Sequence, residues 1–461
     1  MAFVVLLRRS NPTNRNTTKA MDAILSLMLC LHPEVTMTTL RQLSRIVLAM
    51  RAMTGRVTML GLARWAGTGG SYRTVQRFFH TTLPWAAILW TFVRTHLLTP
   101  GDRYLLVGDA CVVTKAGTET HGVDRFFSSI FGKPVPGVAL FALALVSCRE
   151  RQAFPVQIAQ MVREPAAPPA PPASAAKRKP GRPKGKSTQA KADAPLNAEH
   201  TRISILIQNL LTRIRPHLAL TYLVLDGHFG NQNAVLMARR LGLELISKLR
   251  SDSALYYPYD GSYAGRGPRR IYGERIDPSA ISERFLKQTT GEDTIETRIY
   301  QVEARHATFD QPLNVVVIVK RHQTTGKQAH VSLFSSDRTL VWHALRDAYQ
   351  LRFQIEFTFR DAKQYWGLED CMVVQEVAVT NAMNRAFFMV NLSRCLIRAG
   401  RATNPTSSVL DLKSHYRGLS YAEEVIKLLP EKPEPGLLRR LLAQVTGLGR
   451  IHPLPVDSLT G

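Results

Sequence analysis

The stretch YQLRFQIEFTFRDAKQYWG, from Tyr349 to Gly367, carries polar side chains that could act together. On a helix with about 100° per residue, Tyr349, Arg352, Glu356 and Lys363 fall within a sector of about 60°. On such a stripe the carboxylate could bind a metal ion while the neighbouring basic groups contact DNA phosphates. The same residues could instead form ordinary salt bridges at four-residue spacing, each worth about 0.2 to 0.5 kcal/mol. Helical geometry alone leaves both roles open.

Two isolated aspartates could give Glu356 partners for metal binding. Asp109 lies in YLLVGDACVVTKAG and Asp226 in YLVLDGHFG, and each is predicted to end a β-strand, with a second strand after Asp109. Two Mg²⁺ ions held by carboxylates can activate the attacking oxygen and stabilise the leaving oxygen in phosphodiester cleavage. An aspartate after a strand is also a common turn residue or helix cap. His228 is interpreted as a turn residue, because imidazole suits Mg²⁺ poorly.

The helix that carries Glu356 also has an apolar face. Its members fall between about 200° and 280° on the same helical projection and could dock the helix on a sheet. They are Leu351, Ile355, Phe359, Ala362 and Trp366.

Residues 1–98 are predicted to form an all-helical N-terminal DNA-binding domain, because apolar residues recur there at three- and four-residue spacing. The segment VTMLGLARWAGTGGSYRTVQRFFH predicts a helix, a Gly-rich turn and a second helix with Arg73 and Arg77. This pattern resembles a helix-turn-helix. An ordinary helical hairpin is the alternative.

The rest of the chain predicts an α/β fold. Residues 99–248 combine strands such as VALFALALVSC and FPVQIAQMV with helices, and residues 249–338 predict a β-rich insertion. Residues 339–400 contain the glutamate helix, and residues 401–461 predict a helical C-terminal region.

Residues 163–198 predict a disordered basic linker, since Pro and Ala dominate this segment. Its centre, KRKPGRPKGK, resembles an AT-hook, in which Arg182 and Lys184 would contact the DNA minor groove and its phosphates. Pro180 stands where the full hook has Arg. A purely solubilising linker is the alternative.

The charge of the chain favours a polyanionic partner. The 60 Lys and Arg residues exceed the 35 Asp and Glu residues and leave a net charge of +25. Basic surfaces gain affinity for nucleic acid by releasing counterions from phosphates. An enzyme that is basic for other reasons is the alternative.

The cysteines and the apolar segments exclude several other classes. The five cysteines form no CxxC pair, which argues against a zinc site or a disulfide framework and favours a reducing compartment. No segment reaches the roughly 18 to 20 apolar residues of a membrane span, and MAFVVLLRRS lacks the features of a secretory leader. A cytoplasmic protein without a membrane partner is expected.

The spacing of Tyr349, Arg352, Glu356 and Lys363 reads Y-x2-R-x3-E-x6-K. It resembles the YREK signature of bacterial insertion-sequence transposases of the DDE type. The resemblance extends from about Tyr104 to Arg398 and includes both aspartates. It implies a ribonuclease H-like catalytic core with a β-rich insertion before the glutamate helix.

The resemblance also implies a function. Asp109, Asp226 and Glu356 would bind two Mg²⁺ ions, with Mn²⁺ as a substitute, while Tyr349, Arg352 and Lys363 would bind phosphates of the transposon ends. Cut-and-paste transposition would follow, on double-stranded DNA, by a homodimer in a synaptic complex that works at the bacterial nucleoid.

The chain departs from that family in two places. Ala110 and Cys111 stand where many members have a second Asp and Thr. Better-known members hold a flipped base against a Trp of the insertion, whereas Trp342 is the only Trp between the second aspartate and the glutamate. The aromatic run YYPYDGSY, with Tyr256, Tyr257 and Tyr259, could stack on a base or pack within the insertion.

Two other functions remain open. A transposase-derived repressor would bind DNA without cutting it, and the intact acids argue against this. A stand-alone ribonuclease H-like nuclease would not need the helical N-terminal region or the basic linker.

Overall fold

The computed structural model describes residues 24–67, 69–128, 131–163, 195–263, 265, 269–292, 294–370, 372–401, 405–431 and 433–452. Arg182 and Lys184, with almost all of the predicted linker 163–198, lie outside the described residues. The possible contacts of the AT-hook-like segment with DNA therefore stay a prediction.

Helices predominate before residue 98, as the apolar spacing predicts. They are α1 (Met37–Ala52), α2 (Met59–Trp65), α3 (Tyr72–His80) and α4 (Trp85–His96). The first three are capped by the hydroxyls of Thr36, Thr58 and Ser71, each of which accepts a hydrogen bond from a backbone N–H in the first helical turn. A Cβ at Gly70 would clash with Ala66, so the turn between α2 and α3 requires glycine. Helix, turn and helix follow one another as predicted.

Asp109 belongs to a mixed sheet. Its strands before residue 250 are β1 (Tyr104–Thr114), β2 (Asp124–Ser128), β3 (Lys133–Ser147), β4 (Ala153–Gln160), β5 (Tyr222–Val224) and β6 (Glu244–Lys248). Strand β3 pairs antiparallel with β1, β2 and β4, whereas β5 is parallel to both β1 and β6. Residues 137–147 are buried without alternation, which is typical of a strand covered on both faces.

The prediction that Asp109 ends a strand is wrong. Strand β1 continues through Asp109 to Thr114, and Asp109 pairs with Ala142 of β3. The long partner strand supplies a ladder on both sides of the aspartate, so the backbone pairing does not stop there. The strand before Asp226 is also shorter than predicted, because β5 ends at Val224.

The remaining strands extend the same sheet. They are β7 (Leu255–Pro258), β8 (Tyr272–Arg275), β9 (Leu286–Glu292), β10 (Ile295–His306), β11 (Leu313–His322) and β12 (Gln328–Ser335). Strand β12 pairs antiparallel with β6, and β11 and β10 follow it, so the described strands form one sheet of 12 strands. Most of its pairings are antiparallel.

Helices flank the sheet and complete the chain. They are α5 (Ala198–Ile214), α6 (Gln232–Arg240), α7 (Trp342–Leu351), α8 (Gln354–Gln364), α9 (Glu376–Gly400), α10 (Val409–Leu428) and α11 (Pro435–Gly447). Helices α4, α8 and α9 pack against β4, and α10 packs against both α1 and α11. Within the described ranges, no helix is long and apolar enough to cross a membrane. The protein is a mixed α/β molecule, and its division into domains stays a prediction.

Candidate active site

Strand register brings Asp109 and Asp226 together. Leu106 pairs with Leu223 and Val107 with Val224 in the parallel ladder of β1 and β5. Asp109 and Asp226 are each two residues beyond the pair of Val107 and Val224, so this register places them next to each other. Neighbouring strands in a sheet lie about 4.8 Å apart. The two aspartates are therefore neighbours although they are distant in sequence.

The chain around these aspartates is tightly packed. A Cβ on Gly108 would lie 2.8 Å from both Leu225 Cδ2 and Phe141 Cζ, so only glycine fits next to Asp109. The hydroxyl of Ser247, a buried residue of β6, donates a hydrogen bond of 2.7 Å to the carbonyl oxygen of Asp226. These contacts fix the backbone beside Asp109 and at Asp226.

The predicted single helix from Tyr349 to Gly367 is two helices. Helix α7 ends at Leu351 and α8 begins at Gln354. Around the break the backbone forms i to i−3 hydrogen bonds, for example from Arg352 N–H to Tyr349 O at 3.2 Å. Such bonds tighten the turn and redirect the axis. The polar stripe therefore spans a helix junction instead of one straight helix.

The apolar face is confirmed despite this break. All of its members are buried. They are Leu351, Ile355, Phe359, Ala362 and Trp366. These side chains pack α7 and α8 against the rest of the protein. With this face buried, Arg352 of the polar stripe reaches Asp109.

Arg352 connects the stripe to the sheet. Its Nη1 donates to Asp109 Oδ2 at 2.8 Å and its Nη2 to Glu356 Oε1 at 3.0 Å. The Arg352 side chain is only 14% exposed, and its guanidinium lies 5.8 Å from the centre of the Tyr349 ring. One cation thus joins two of the three predicted metal ligands.

Burial and the neighbouring charges both act on the pKa of Asp109. Burial raises the pKa of Asp109 to about 6; Arg352 opposes the shift, while the charges of Asp226 and Glu356 add to it. Burial, with the charge of Asp226, also raises the pKa of Tyr349. A cation at this position would relieve the repulsion among the three carboxylates.

The donor set fits a hard divalent cation in type. Asp226 Oδ1 is buried and has no hydrogen-bond partner among the described residues, and its neighbours Asp109 and Glu356 are also carboxylates. In the described part of the chain, however, no group of three or more His, Cys, Asp or Glu side chains is close enough to hold a metal ion as it stands. Arg352 lies between Asp109 and Glu356 and donates a hydrogen bond to each.

Lys363 lies on the β1 side of the site. Its Nζ donates to Val112 O at 3.1 Å and lies 3.1 Å from Glu369 Oε1. Burial raises the pKa of the neighbouring Cys111 thiol to about 11, so this group stays protonated at neutral pH. Lys363 reaches the edge of the site, and its predicted contact with phosphate stays a prediction.

Glu369 and Asp370 are site neighbours that the sequence patterns did not single out. Asp370 Oδ2 accepts a 2.9 Å hydrogen bond from the N–H of Val57, which precedes α2. A Cβ on Gly367, which has φ +70°, would clash with Val57. The end of the glutamate helix is therefore fastened to the predicted helix-turn-helix. In the sequence, the two adjacent acids of GLED, directly after an amphipathic helix, could have pointed to these residues.

Asn381 of α9 makes a second junction with the N-terminal helices. Its buried Nδ2 donates to Phe79 O at 2.9 Å and Thr81 O at 2.8 Å, and its Oδ1 accepts from Trp85 Nε1 at 2.7 Å. A buried amide with these partners fixes the C-terminal end of α3 against α9.

The tyrosines of the insertion pack against neighbours. Tyr257 stacks on Phe285 with ring centres 5.3 Å apart, and Arg270 lies over Tyr259 at 4.9 Å. His228 is an exposed side chain 3.2 Å from Glu199, in agreement with a turn residue.

Comparison with known proteins identifies the family of the chain. A family model described as DDE superfamily endonuclease matches residues 30–307, which is more than half of the chain and includes Asp109 and Asp226 but not Glu356. No curated protein matches the chain. Enzymes of this superfamily act on DNA and generally use divalent metal ions. The chain belongs to the DDE superfamily of endonucleases.

Proposed function

We propose that this protein is a DNA transposase of the YREK type found in bacterial insertion sequences. It would bind the inverted-repeat ends of its element as a homodimer and would cut and join DNA by a cut-and-paste reaction. The observation that carries this proposal is that Arg352 links Asp109 of the sheet to Glu356 of α8, while the charge of Asp226 raises the pKa of Asp109.

The strand order supports a ribonuclease H-like core for this enzyme. Strands β4, β3 and β1 are adjacent and antiparallel, and β5 and β6 continue the sheet parallel to β1. The first two acids lie at one level of this core, and α8 brings the third from a distant part of the sequence. Such a core with the strands of the insertion beside β6 supports the proposed architecture.

Asp109, Asp226 and Glu356 would hold Mg²⁺, with Mn²⁺ as a substitute. Bound there, the ions supply Lewis-acid stabilisation and a nucleophilic water at the scissile phosphate. Each proposed step, whether hydrolysis, hairpin formation or joining, is an in-line displacement at phosphorus, so one set of ligands can serve all of them.

Arg352 has two alternative partners in this proposal. Without DNA it neutralises Asp109 and Glu356. Those carboxylates cannot bind the guanidinium and metal ions with the same oxygens, so metal binding would release Arg352. Its planar fork then matches a DNA phosphate, which it can bind in a bidentate manner.

The experiment incubates the protein with the inverted repeats that flank its gene and Mg²⁺, and separates nicked, hairpinned and joined products on a denaturing gel. Glu356→Ala should abolish cleavage but leave end binding intact, because it removes a metal ligand and little of the DNA interface. Glu424→Ala is the matched control, since Glu424 is exposed on α10.

Each outcome separates the candidate functions. Joined products support a transposase. Nicks without joining indicate a nuclease, and end binding without any cleavage by the unaltered protein indicates a repressor. Full cleavage by Glu356→Ala in Mg²⁺ would overturn the assignment of this site.

A further inference from the structure

Lys248 lies directly against the turn that follows Asp226. A Cβ on Gly227 would be 3.1 Å from Lys248 Cε and 3.7 Å from Lys248 Cβ. A Cβ on Gly230 would clash with the carbonyl oxygen of Lys248. The lysine stem therefore extends along the residue next to Asp226, and the turn requires glycine at Gly230.

Strand register sets Lys248 in one row with the two aspartates. Val224 of β5 pairs with Ile246 of β6 in a parallel ladder. Asp226 and Lys248 are each two residues beyond this pair, just as Asp109 is two residues beyond Val107. Residues in register on neighbouring strands project from the same face of a sheet. Asp109 of β1, Asp226 just past the end of β5, and Lys248 of β6 thus lie at one level, and neighbouring strands are about 4.8 Å apart.

The ammonium of Lys248 is available to a ligand. Lys248 is exposed, and no carboxylate oxygen of the described residues lies within 4 Å of its Nζ. Arg352 and Lys363 differ, because each already contacts a carboxylate. A strongly hydrated ammonium beside acids that gather metal ions can neutralise an anion bound at the same site.

We infer that Lys248 is a positioning residue that binds a DNA phosphate beside the scissile one, on the β6 side of the acids. Lys363 would do the same on the β1 side, so the DNA backbone would cross the row of acids between two lysines. This inference rests on the proposed function. The contact is a charge-assisted hydrogen bond to a non-bridging phosphate oxygen and involves no covalent step.

The test measures binding without catalysis. The full-length protein is titrated in EDTA with a labelled duplex of the flanking inverted repeat over a series of salt concentrations. Lys248→Met keeps the stem over Gly227 but removes the charge, and it should reduce the slope of log affinity against log salt by about 0.9, one phosphate's share. Lys248→Arg should restore the slope.

Lys320→Met is the matched control. Lys320 is an exposed lysine of β11. It pairs with Ala329 of β12, whereas Lys248 pairs with Leu333, four residues further along the same strand. Its loss should leave the slope nearly unchanged. In Mg²⁺, Lys248→Met should raise KM for the DNA more than it lowers kcat, because the contact exists in both the bound substrate and the transition state.

An unchanged slope for Lys248→Met, or equal changes for Lys248→Met and Lys320→Met, would overturn the inference. Failure of Lys248→Arg to restore the slope would also contradict it, because it would indicate a structural role. A different result would contradict the proposed function, namely DNA cleavage by Glu356→Ala in Mg²⁺. That result would not alter the DNA affinities measured in EDTA.

Discussion

Arg352 donates a 2.8 Å hydrogen bond to Asp109 across a separation of 243 residues in the sequence. The contact fastens the junction of α7 and α8 to β1. Because the same guanidinium also contacts Glu356, the helix that carries the third acid is held at the sheet before any substrate binds. The junction of α7 and α8 is thus fixed to the sheet by contacts within the protein.

Replacing Arg352 should separate this structural role from catalysis. Arg352→Gln leaves the poorly exposed Asp109 carboxylate without its cation, which should lower the free energy of unfolding in EDTA by roughly 3 kcal/mol. Mg²⁺ should then stabilise the variant more than the wild type, since no guanidinium has to be displaced. Urea unfolding with EDTA or with Mg²⁺ measures both effects.

Arg338→Gln is the control for the Arg352 variant. Arg338 contacts Glu303, and both side chains are well exposed, so its loss should change stability by less than about 1 kcal/mol. Equal losses of stability in the two variants, or an equal response to Mg²⁺, would count against competition between Arg352 and the metal ion.

Lys363 and Glu369 should have opposite effects on DNA binding. Lys363→Ala should weaken end binding and reduce its salt slope by about 0.9, because one phosphate contact is lost. Glu369→Gln should strengthen binding, because Lys363 loses its 3.1 Å carboxylate partner and becomes free for phosphate. Fluorescence anisotropy over a salt series measures both. A slope that Lys363→Ala leaves unaltered would exclude the phosphate contact.

His415 should make the C-terminal helices sensitive to acid. Burial, with the positive charges of Arg450 and Arg51, lowers the pKa of His415 to about 4. Arg450 can only donate, so Nδ1 of His415 accepts at 3.0 Å from Arg450 Nη2 and the ring is neutral. The unfolded protein binds more protons between pH 6.5 and 4, so stability falls as the pH falls through this window.

The expected loss between pH 7 and pH 5 is on the order of 1 to 2 kcal/mol. His415→Asn keeps an acceptor near the Nδ1 position but cannot be protonated, so its thermal midpoint should depend less on pH in this range. His343→Asn, at an exposed residue of α7, is the comparison. A His415→Asn profile parallel to that of the wild type would contradict the assignment.

The sequence patterns predicted the buried face of the glutamate helix, because helical period is a local property, whereas the metal-binding role of the three acids stays a prediction. Ile355, Phe359 and Trp366 are buried as the period required. The break at Arg352 has no Pro or Gly to mark it, and it coincides with a long-range contact to Asp109. Local periodicity could not reveal it.

The end of β1 was mispredicted for a related reason. An aspartate after five apolar residues is a reasonable strand end when only its neighbours are considered. Strand β3 is long enough to pair with β1 from Tyr104 to Thr114, and this pairing carries the ladder through Asp109. The position of Lys248 was likewise hidden, because it depends on the register between β5 and β6.

The contacts of Asn381 with the end of α3, and of Asp370 with the start of α2, have a further consequence. If α2 and α3 bind the inverted repeat as predicted, their distance from Asp109 and Glu356 is set by rigid packing. The protein would then measure a fixed number of base pairs from the sequence it reads to the bond it cuts. The position of the cut would then depend on the dimensions of the protein and not on the DNA sequence at the cleaved bond.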